Sequence, residues 1–483
     1  MFSFPKFPSS APSRMAVLRL PAEPAGHGRK AIITLVSSFY VENFGCRATQ
    51  ADGNVIEKQL LDRGLERAPA PQQADVVVLN TCTVTASADQ DVRAAIRRIH
   101  RQNPECKILV TGCYAQRAPE ELAALPGVSW VVGNSHKHQV GDVVGSSVRN
   151  FVPLHDLGGQ AGRIENPAAP ILIGDIFAHT ELMAAPVFDA GPERTRPNLK
   201  VQDGCDNRCS FCIIPSVRGQ SRSLRLNDVL REVDVLVASG YREVVISGIN
   251  LGRWGRDFPK PMRFAQLVRA IVEATDLQKL RISSVEPMDW TNELIELVAG
   301  CRRIAKHAHV PMQSGSDRVL RRMHRKYRPW HYAEKIRKIR EAMPTAAIGA
   351  DVMVGFPGET DADFEETRRM IEQLPFTYLH VFTYSSRPGT RSAQMPGQVP
   401  VQVARERNRV LRELAAAKKR AFMESFVGGE LEAITLSVQD QDCTEALTDN
   451  YLKLRLRGLH AANQWVTTRV EGIVGGELVG GLA

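Results

Sequence analysis

The segment Gln202-Asp-Gly-Cys-Asp-Asn-Arg-Cys-Ser-Phe-Cys212 sets Cys205, Cys209 and Cys212 at Cys-x3-Cys-x2-Cys spacing. Structural zinc and ordinary iron–sulfur sites take four protein ligands. Three thiolates on one short loop can instead hold three irons of a [4Fe–4S] cube and leave the fourth iron open to a substrate or cofactor. A zinc knuckle short of one ligand and a group of reduced core thiols are the alternatives, and neither accounts for so tight a spacing in a loop after a strand.

Three more cysteines occupy comparable places. Cys46, Cys82 and Cys113, in "NFGC", "LNTC" and "VTGC", each fall just past an apolar stretch with strand character. Cys106 precedes its strand, belongs at the other end of the sheet and is a poor ligand candidate. The cysteine count, 9, is odd, and the amino-terminal stretch lacks the charged start, unbroken apolar run and small-residue cleavage site of an export signal. A reducing cytosol is the expected compartment, where clustered thiols read as metal ligands rather than disulfides. No run reaches the roughly 18 apolar residues expected of a membrane span.

The elements that must carry these thiols follow from hydrophobic periodicity, and the fold class they predict is α/β. Strands are expected at 31–44 (in part), 75–80, 107–111 and 128–132, with helices such as 50–63 and 88–101 between them. This predicts an amino-terminal doubly wound domain over 31–150, whose ligands sit beyond the carboxyl ends of its strands. Residues 1–30, rich in Pro and Ser, read as a flexible extension, and 151–190 as a linker with one apolar patch, "ILIGDIF".

A second α/β repeat spans 191–424. Its strands are expected at 199–202, 243–247, 279–284, 305–310, 348–354 and 378–383, and its helices include 227–239, 292–299, 332–342 and 361–373. Asn227 and Asp361 read as caps, Gly240 and Gly300 as stops. The repeat predicts an incomplete (β/α)6 barrel with its chemistry at the carboxyl ends of the strands. A basic helix at 402–426 leads into residues 425–483, whose alternating segments predict a small antiparallel β domain.

The Cys-x3-Cys-x2-Cys loop, with Phe211 before its last cysteine, resembles the signature of radical S-adenosylmethionine enzymes. The six cysteines in their order resemble the methylthiotransferase branch of that family, and the resemblance covers residues 31–483. It implies an amino-terminal methylthiotransferase domain, a radical core and a TRAM-like β domain. Two [4Fe–4S] clusters are implied. Cys205, Cys209 and Cys212 would hold the one whose open iron chelates S-adenosylmethionine and cleaves it to a 5′-deoxyadenosyl radical; Cys46, Cys82 and Cys113 would hold an auxiliary cluster that carries the sulfur to be inserted. Two S-adenosylmethionine molecules are used per product in this family.

The motifs "SGIN", "SSVEP", "VPMQSG" and "VGFPGE" supply candidate cofactor contacts: Ser247, Gly248, Glu286, Gln313, Ser314 and Gly355. Glycine suits a backbone that approaches a ligand or turns sharply, and the polar side chains could bond a ribose or amino group. Each is equally an ordinary loop anchor.

Strings such as "KVQDGCDNRCSFCIIPSVRGQSRS", "HVPMQSGSDRVLRRMHRKY" and "LHVFTYSSRPGT" resemble most the group acting on N6-threonylcarbamoyladenosine at tRNA position 37, where carbon 2 of the base gains a methylthio group. N6-isopentenyladenosine in tRNA and a ribosomal-protein aspartate are the substrates of the other groups. A non-catalytic RNA-binding protein with structural clusters is the reading from another class; two incomplete ligand sets argue against it. An unactivated aromatic C–H bond offers no acidic proton, so a radical route is the expected chemistry.

The implied partners are a tRNA anticodon stem-loop and an electron donor such as flavodoxin or ferredoxin. With 62 Lys+Arg against 53 Asp+Glu the chain carries +9, and the basic span 302–328 with Tyr451, Arg455, Arg457 and Trp465 offers phosphate attraction and base stacking. One residue departs from the family pattern: Thr49 stands where relatives carry Asn, three residues after Cys46, which questions how Cys46 is oriented.

Overall fold

Every residue of the strand Val76–Thr81 is buried, as expected of a parallel strand covered on both faces, which needs a continuous apolar run rather than alternation. In the computed structural model, which describes residues 38–146, 169–178, 182, 195–440 and 442–483, this strand is central to a six-stranded parallel sheet. The order is Glu66–Arg67, Ser38–Asn43, Val76–Thr81, Lys107–Gly112, Val128–Gly133, Ile171–Leu172. Ile96, Ile99 and Leu122 cover one face, Ile56, Leu60 and Val144 the other. The sheet is therefore doubly wound, and its order reverses between Ser38–Asn43 and Val76–Thr81, the switch point at which such sheets open a crevice.

Several boundaries differ from the sequence reading for local reasons. The extension 1–30 lies outside the described residues, as does most of the stretch 151–190. Within that stretch, Ile171–Leu172 of the apolar patch forms the last strand of the sheet. The helix Arg47–Leu61 starts directly after Cys46, which is its N-cap. Thr360, not Asp361, caps Asp361–Gln373, because Thr360 and Asp363 form a reciprocal capping box. Likewise Arg225, not Asn227, is the N-cap of Leu226–Ala238. Gly240 follows that helix by two residues, and Gly300 is the last residue of Asn292–Gly300.

Six parallel strands then form an open arc: Asn198–Asp203, Glu243–Gly248, Lys279–Ile282, His307–His309, Ala347–Val354 and Tyr378–Thr383. Bridges from Leu280 to Ile304 and from Ser284 to His309 join its two sheets, and among the described residues no pairing joins the first strand to the last. Alternate residues point to opposite faces. Val201, Val244, Ile246, Ala308, Val310 and Val352 face the helices. Lys200, Ser247, Arg281, His307 and Asp351 fall on the opposite parity and line the lumen. The apolar parity builds the core, and the polar parity is left for chemistry.

The tail closes a five-stranded barrel in the order Glu430–Asp440, Cys443–Thr448, Lys453–Arg457, Glu477–Leu482, Trp465–Val474. All its pairs are antiparallel except Lys453–Arg457 with Glu477–Leu482, which is parallel. This small barrel seals the amino end of the arc. Arg281 pairs with buried Glu243 and donates to the carbonyls of Asp449 and Thr448 at 3.0 and 3.3 Å. The Tyr451 ring stacks on His307 at 4.4 Å. No helix among the described residues is long and apolar enough to cross a membrane.

Breaking a buried pair strands its partner charge, at about 3–5 kcal/mol. Arg281→Met should cost that much in urea unfolding, and limited proteolysis should cut the tail barrel first, because the guanidinium also holds the loop at 448–449.

Two cysteine triads joined by a buried ion network

All six sequence-identified cysteines are free thiols at carboxyl ends of strands or in the loop that follows. Cys46 and Cys82 follow the two strands that flank the switch point, and Cys113 follows the next strand along. Gly45 lets the first two loops meet: a Cβ there would lie 2.6 Å from Cys82 Cβ. Burial pushes the Cys82 thiol up to about 12, and Cys113 and Cys46 nearby push the same way. Cys106 is buried at the opposite end of its strand, its thiol raised by burial to about 11.

In the radical loop Cys205 accepts from the backbone N–H of Asn207 and from Asn250 Nδ2, both at 3.4 Å. Arg325 donates to Cys209 Sγ at 3.2 Å and pairs with Glu286. Burial raises the Cys205 thiol and takes Cys212 to about 12. Glu286 is also raised by burial, against the pull of Arg325.

The helix Ile214–Arg218 begins two residues after Cys212 and reaches the other domain. Ile213 and Val217 pack on Cys113, and Asn134 bonds the Val217 carbonyl at 2.7 Å and Cys113 Sγ at 3.5 Å. Arg218 is the hub. Its Nε donates to Cys113 Sγ at 3.2 Å, its Nη1 to both oxygens of Asp203 at 3.0 and 3.1 Å, and its Nη2 to Asp52 at 3.0 Å. Lys200 bridges Asp52 and Asp203, and Lys137 reaches Asp52 at 2.8 Å. Burial alone would raise the Asp52 carboxyl; Lys137, Lys200 and Arg218 together hold it well below the ordinary carboxylate range. All five groups are buried. None was named in the sequence reading, because nothing in a local pattern marks a charge as buried.

This network tests whether the triads fit clusters. Three cations meet two carboxylates, so one positive charge is left over beside Cys113. Buried charge demands compensation, and an anionic thiolate site supplies it. Among the described residues the one group that brings three candidate ligand atoms within 4.8 Å of one another is His309, Asp351 and His380. Neither cysteine triad brings its three sulfurs that close together.

The candidate cofactor contacts separate by what surrounds them. Ser247 Oγ is buried without a partner, as is Asn250 Oδ1, and Gln313 has a left-handed backbone with φ 64. Gly248 makes room for Gln202, whose Cβ would be 2.9 Å from an added Cβ; Gln202 in turn bonds the carbonyls of Asp203 and Gly204 and so pins the start of the cysteine loop. Gly355 has φ 75, and a Cβ there would lie 2.6 Å from Ala404 Cβ of the helix Val401–Glu424. Ser314 Oγ accepts from the Ser316 N–H and contacts Thr367.

The basic span is largely engaged within the protein. Arg303 and Lys306 bond backbone carbonyls, and Arg318, Arg325 and Arg328 pair with Asp363, Glu286 and Asp317. Lys279 lies over the Trp465 ring at 4.8 Å. Tyr451 is engaged within the protein: its ring stacks on His307 and its hydroxyl accepts from Arg47 Nη2 at 3.4 Å, next to Cys46 in the chain.

The model of an uncharacterized protein family, UPF0004, matches residues 38–133, and that of the radical SAM superfamily matches residues 199–371. The threonylcarbamoyladenosine tRNA methylthiotransferase MtaB of Aquifex aeolicus is 35% identical over 86% of this chain and 96% of its own. That of Bacillus subtilis is 37% identical over 86% and 89%. The tRNA-2-methylthio-N(6)-dimethylallyladenosine synthase of Syntrophobacter fumaroxidans is 35% identical over 75% and 77%. The chain belongs to the radical S-adenosylmethionine methylthiotransferase family. The solved radical methyltransferase TsrM of Kitasatospora setae, at 16% identity and a TM-score of 0.52 over 74% of this chain and 76% of that one, shares the fold. Members of the family use S-adenosylmethionine and [4Fe–4S] clusters, and both triads of this chain fit such clusters.

Arg218→Gln should lower stability by about 3–5 kcal/mol and reduce iron and sulfide after reconstitution toward one cube per chain, with Cys113 losing its donor; Arg218→Lys should recover only part of either. Because Asp52 is depressed in the folded state, its contribution is full above an ordinary carboxylate pKa of about 4 and is lost as pH falls through the lower folded value. Asp52→Asn should therefore be less stable at pH 7 and show a flatter acid limb in urea midpoints measured against pH.

Proposed function

We propose that this protein is a tRNA-modifying enzyme that inserts a methylthio group at carbon 2 of N6-threonylcarbamoyladenosine at position 37, beside the anticodon. The observation that carries sulfur insertion is the joining of two incomplete three-thiol sets by one short helix. When bound, the two clusters and S-adenosylmethionine supply the radical and the methylthio group. Cys205, Cys209 and Cys212 would hold the radical cluster, with Asn250 and Arg325 donating to its sulfurs, and Cys46, Cys82 and Cys113 the auxiliary one. Ser247, Glu286 and Gln313 are the side chains proposed to face S-adenosylmethionine; Gly248, Ser314 and Gly355 act through the loops they shape.

A groove of about 580 Å³ runs where the amino-terminal domain, the last strand and the long helix meet, lined by Thr85, Ser87, Phe382, Ser385, Arg405 and Arg412. It combines arginines with an exposed ring, 48% accessible at Phe382, as phosphate attraction and base stacking require. The anticodon loop would enter here. The tail's Arg455 and Arg457, at the other end of the arc, would touch only RNA distant from the modified base. Such a substrate places the enzyme in the cytoplasm, with an electron donor such as flavodoxin or ferredoxin.

Nucleoside mass spectrometry of total tRNA from a deletion strain should show loss of 2-methylthio-N6-threonylcarbamoyladenosine; loss of the isopentenyl analogue instead would assign the alternative substrate. With purified protein, Cys209→Ala should abolish S-adenosylmethionine cleavage. Cys82→Ala should spare cleavage and abolish sulfur insertion, and product from that variant would reject the auxiliary assignment.

A further inference from the structure

His309, Asp351 and His380 stand together on the last three strands of the arc, the limb opposite the strand that leads into the cysteine loop. Register places them side by side: His309 pairs with Gly349, two residues before Asp351, and Asp351 pairs directly with His380. All three fall on the polar, lumen-facing parity. One ring nitrogen or carboxylate oxygen from each lies within 4.8 Å of the others, and His309 Nε2 is 3.4 Å from Asp351 Oδ1.

The feature that needs explanation is His309. It is 9% exposed, yet neither ring nitrogen has a hydrogen-bond partner. Buried polar atoms left unmatched are rare and mark either strain or a missing ligand. The ring is framed rather than loose, with Tyr378 at 6.0 Å and His380 at 5.6 Å, and Tyr378 is itself fixed by a 2.7 Å bond to His307 Nε2. Toward the groove, His380 shares its strand face with exposed Phe382. A polar cup thus opens along the path proposed for the anticodon loop.

A metal ion is one occupant to weigh. Ligating imidazoles normally donate their second nitrogen to an oriented acceptor, and the carboxylate nearest His309, Asp351 at 3.4 Å from Nε2, would itself be a ligand of such an ion. A polar organic group suits the site better, since it can engage both nitrogens.

We propose that His309, Asp351 and His380 recognise the amino-acid part of the N6 substituent. The two imidazoles present N–H donors to its carboxylate, and Asp351 accepts from its hydroxyl or ureido N–H. This places the base with its N6 arm toward the histidine limb and carbon 2 toward the cysteine limb. The inference rests on the threonylcarbamoyl reading and extends it to selectivity: an isopentenyl arm would leave the buried His309 ring nitrogens unmatched and offer nothing to half-buried Asp351 or exposed His380, and sites built to bond a polar group reject analogues that lack it.

The test uses the full chain with both clusters reconstituted and anticodon stem-loop RNAs carrying threonylcarbamoyladenosine, isopentenyladenosine or unmodified adenosine, with affinity read by fluorescence anisotropy. Wild type should prefer the threonylcarbamoyl RNA. His309→Phe should weaken that RNA about 10- to 100-fold, the range for stranding a buried polar partner, and His380→Phe and Asp351→Asn by less, while all three leave the unmodified RNA unchanged; iron content and melting temperature control for folding. If wild type shows the preference and the variants keep it, this assignment fails while the substrate reading stands. If wild type lacks the preference, both fail. Stoichiometric zinc or extra iron in wild type that the His309 variant loses would make the cup a metal site and overturn the proposal.

Discussion

The Arg218 guanidinium is the contact on which the relation between the two cysteine triads depends. It meets Cys113 and Asp52 of one domain and Asp203 of the other at once, and only a planar group with five fixed donors can satisfy a sulfur and two carboxylates together. Asp203 is two residues from Cys205, and Arg218 is six residues from Cys212. Both ends of the radical loop are therefore tied to the far domain through one side chain. Removing it would take two bonds from Asp203, one from Asp52 and the donor from Cys113, leaving Lys137 and Lys200 as the remaining partners of the two carboxylates; breaking a buried pair of this kind costs about 3–5 kcal/mol.

The lumen is organised in layers along the strands. At the amino ends, Glu243, Arg281 and His307 form a closed floor against the tail loop. Higher up stand Asp351 and His380, and beyond the carboxyl ends lie the cysteine loop and Glu286. Polar residues persist through all three layers because the apolar parity of each strand is already committed to the helices. A lumen filled with Val and Leu would be more stable, and it could not admit a cofactor and a nucleobase. The tail barrel thus does more than append a module: by sealing the floor it makes the cavity one-ended.

The fold was largely legible because burial on both faces writes itself as nearly unbroken apolar runs: Val76–Thr81 and Glu243–Gly248 fall within a residue of their expected places. The strand-end places of Cys46, Cys82 and Cys113 were legible from the apolar runs before them, and the loop of Cys205, Cys209 and Cys212 from its spacing. What escaped was everything that depends on the third dimension. No local pattern marks Asp52 on its helix or Lys200 on its strand as buried, and Gly355, expected where a backbone approaches a ligand or turns sharply, makes room for Ala404 of the helix Val401–Glu424. Tyr451 read as a stacking platform for RNA because an aromatic residue among basic ones has that look, and only the docking of the tail shows what it stacks on.

The substitution at Thr49 shows how local support for a ligand can be redistributed. Thr49 is buried, and its Oγ1 lies 3.7 Å from Cys46 Sγ, a distance suited to a weak contact with sulfur. Its carbonyl receives Asn80 Nδ2 at 2.7 Å, and the same Asn80 nitrogen reaches Asn43 at 2.9 Å. An asparagine therefore does stand close to the first turn of this helix, supplied by the neighbouring strand. Cys46 itself is the N-cap of a 15-residue helix, where the unpaired N–H groups and the helix dipole favour an anion. The orientation that a side chain three residues on would provide is here imposed by the backbone of Arg47–Leu61, and that backbone is fixed in turn by Asp52, one turn and a half further along, in the grip of Lys137, Lys200 and Arg218.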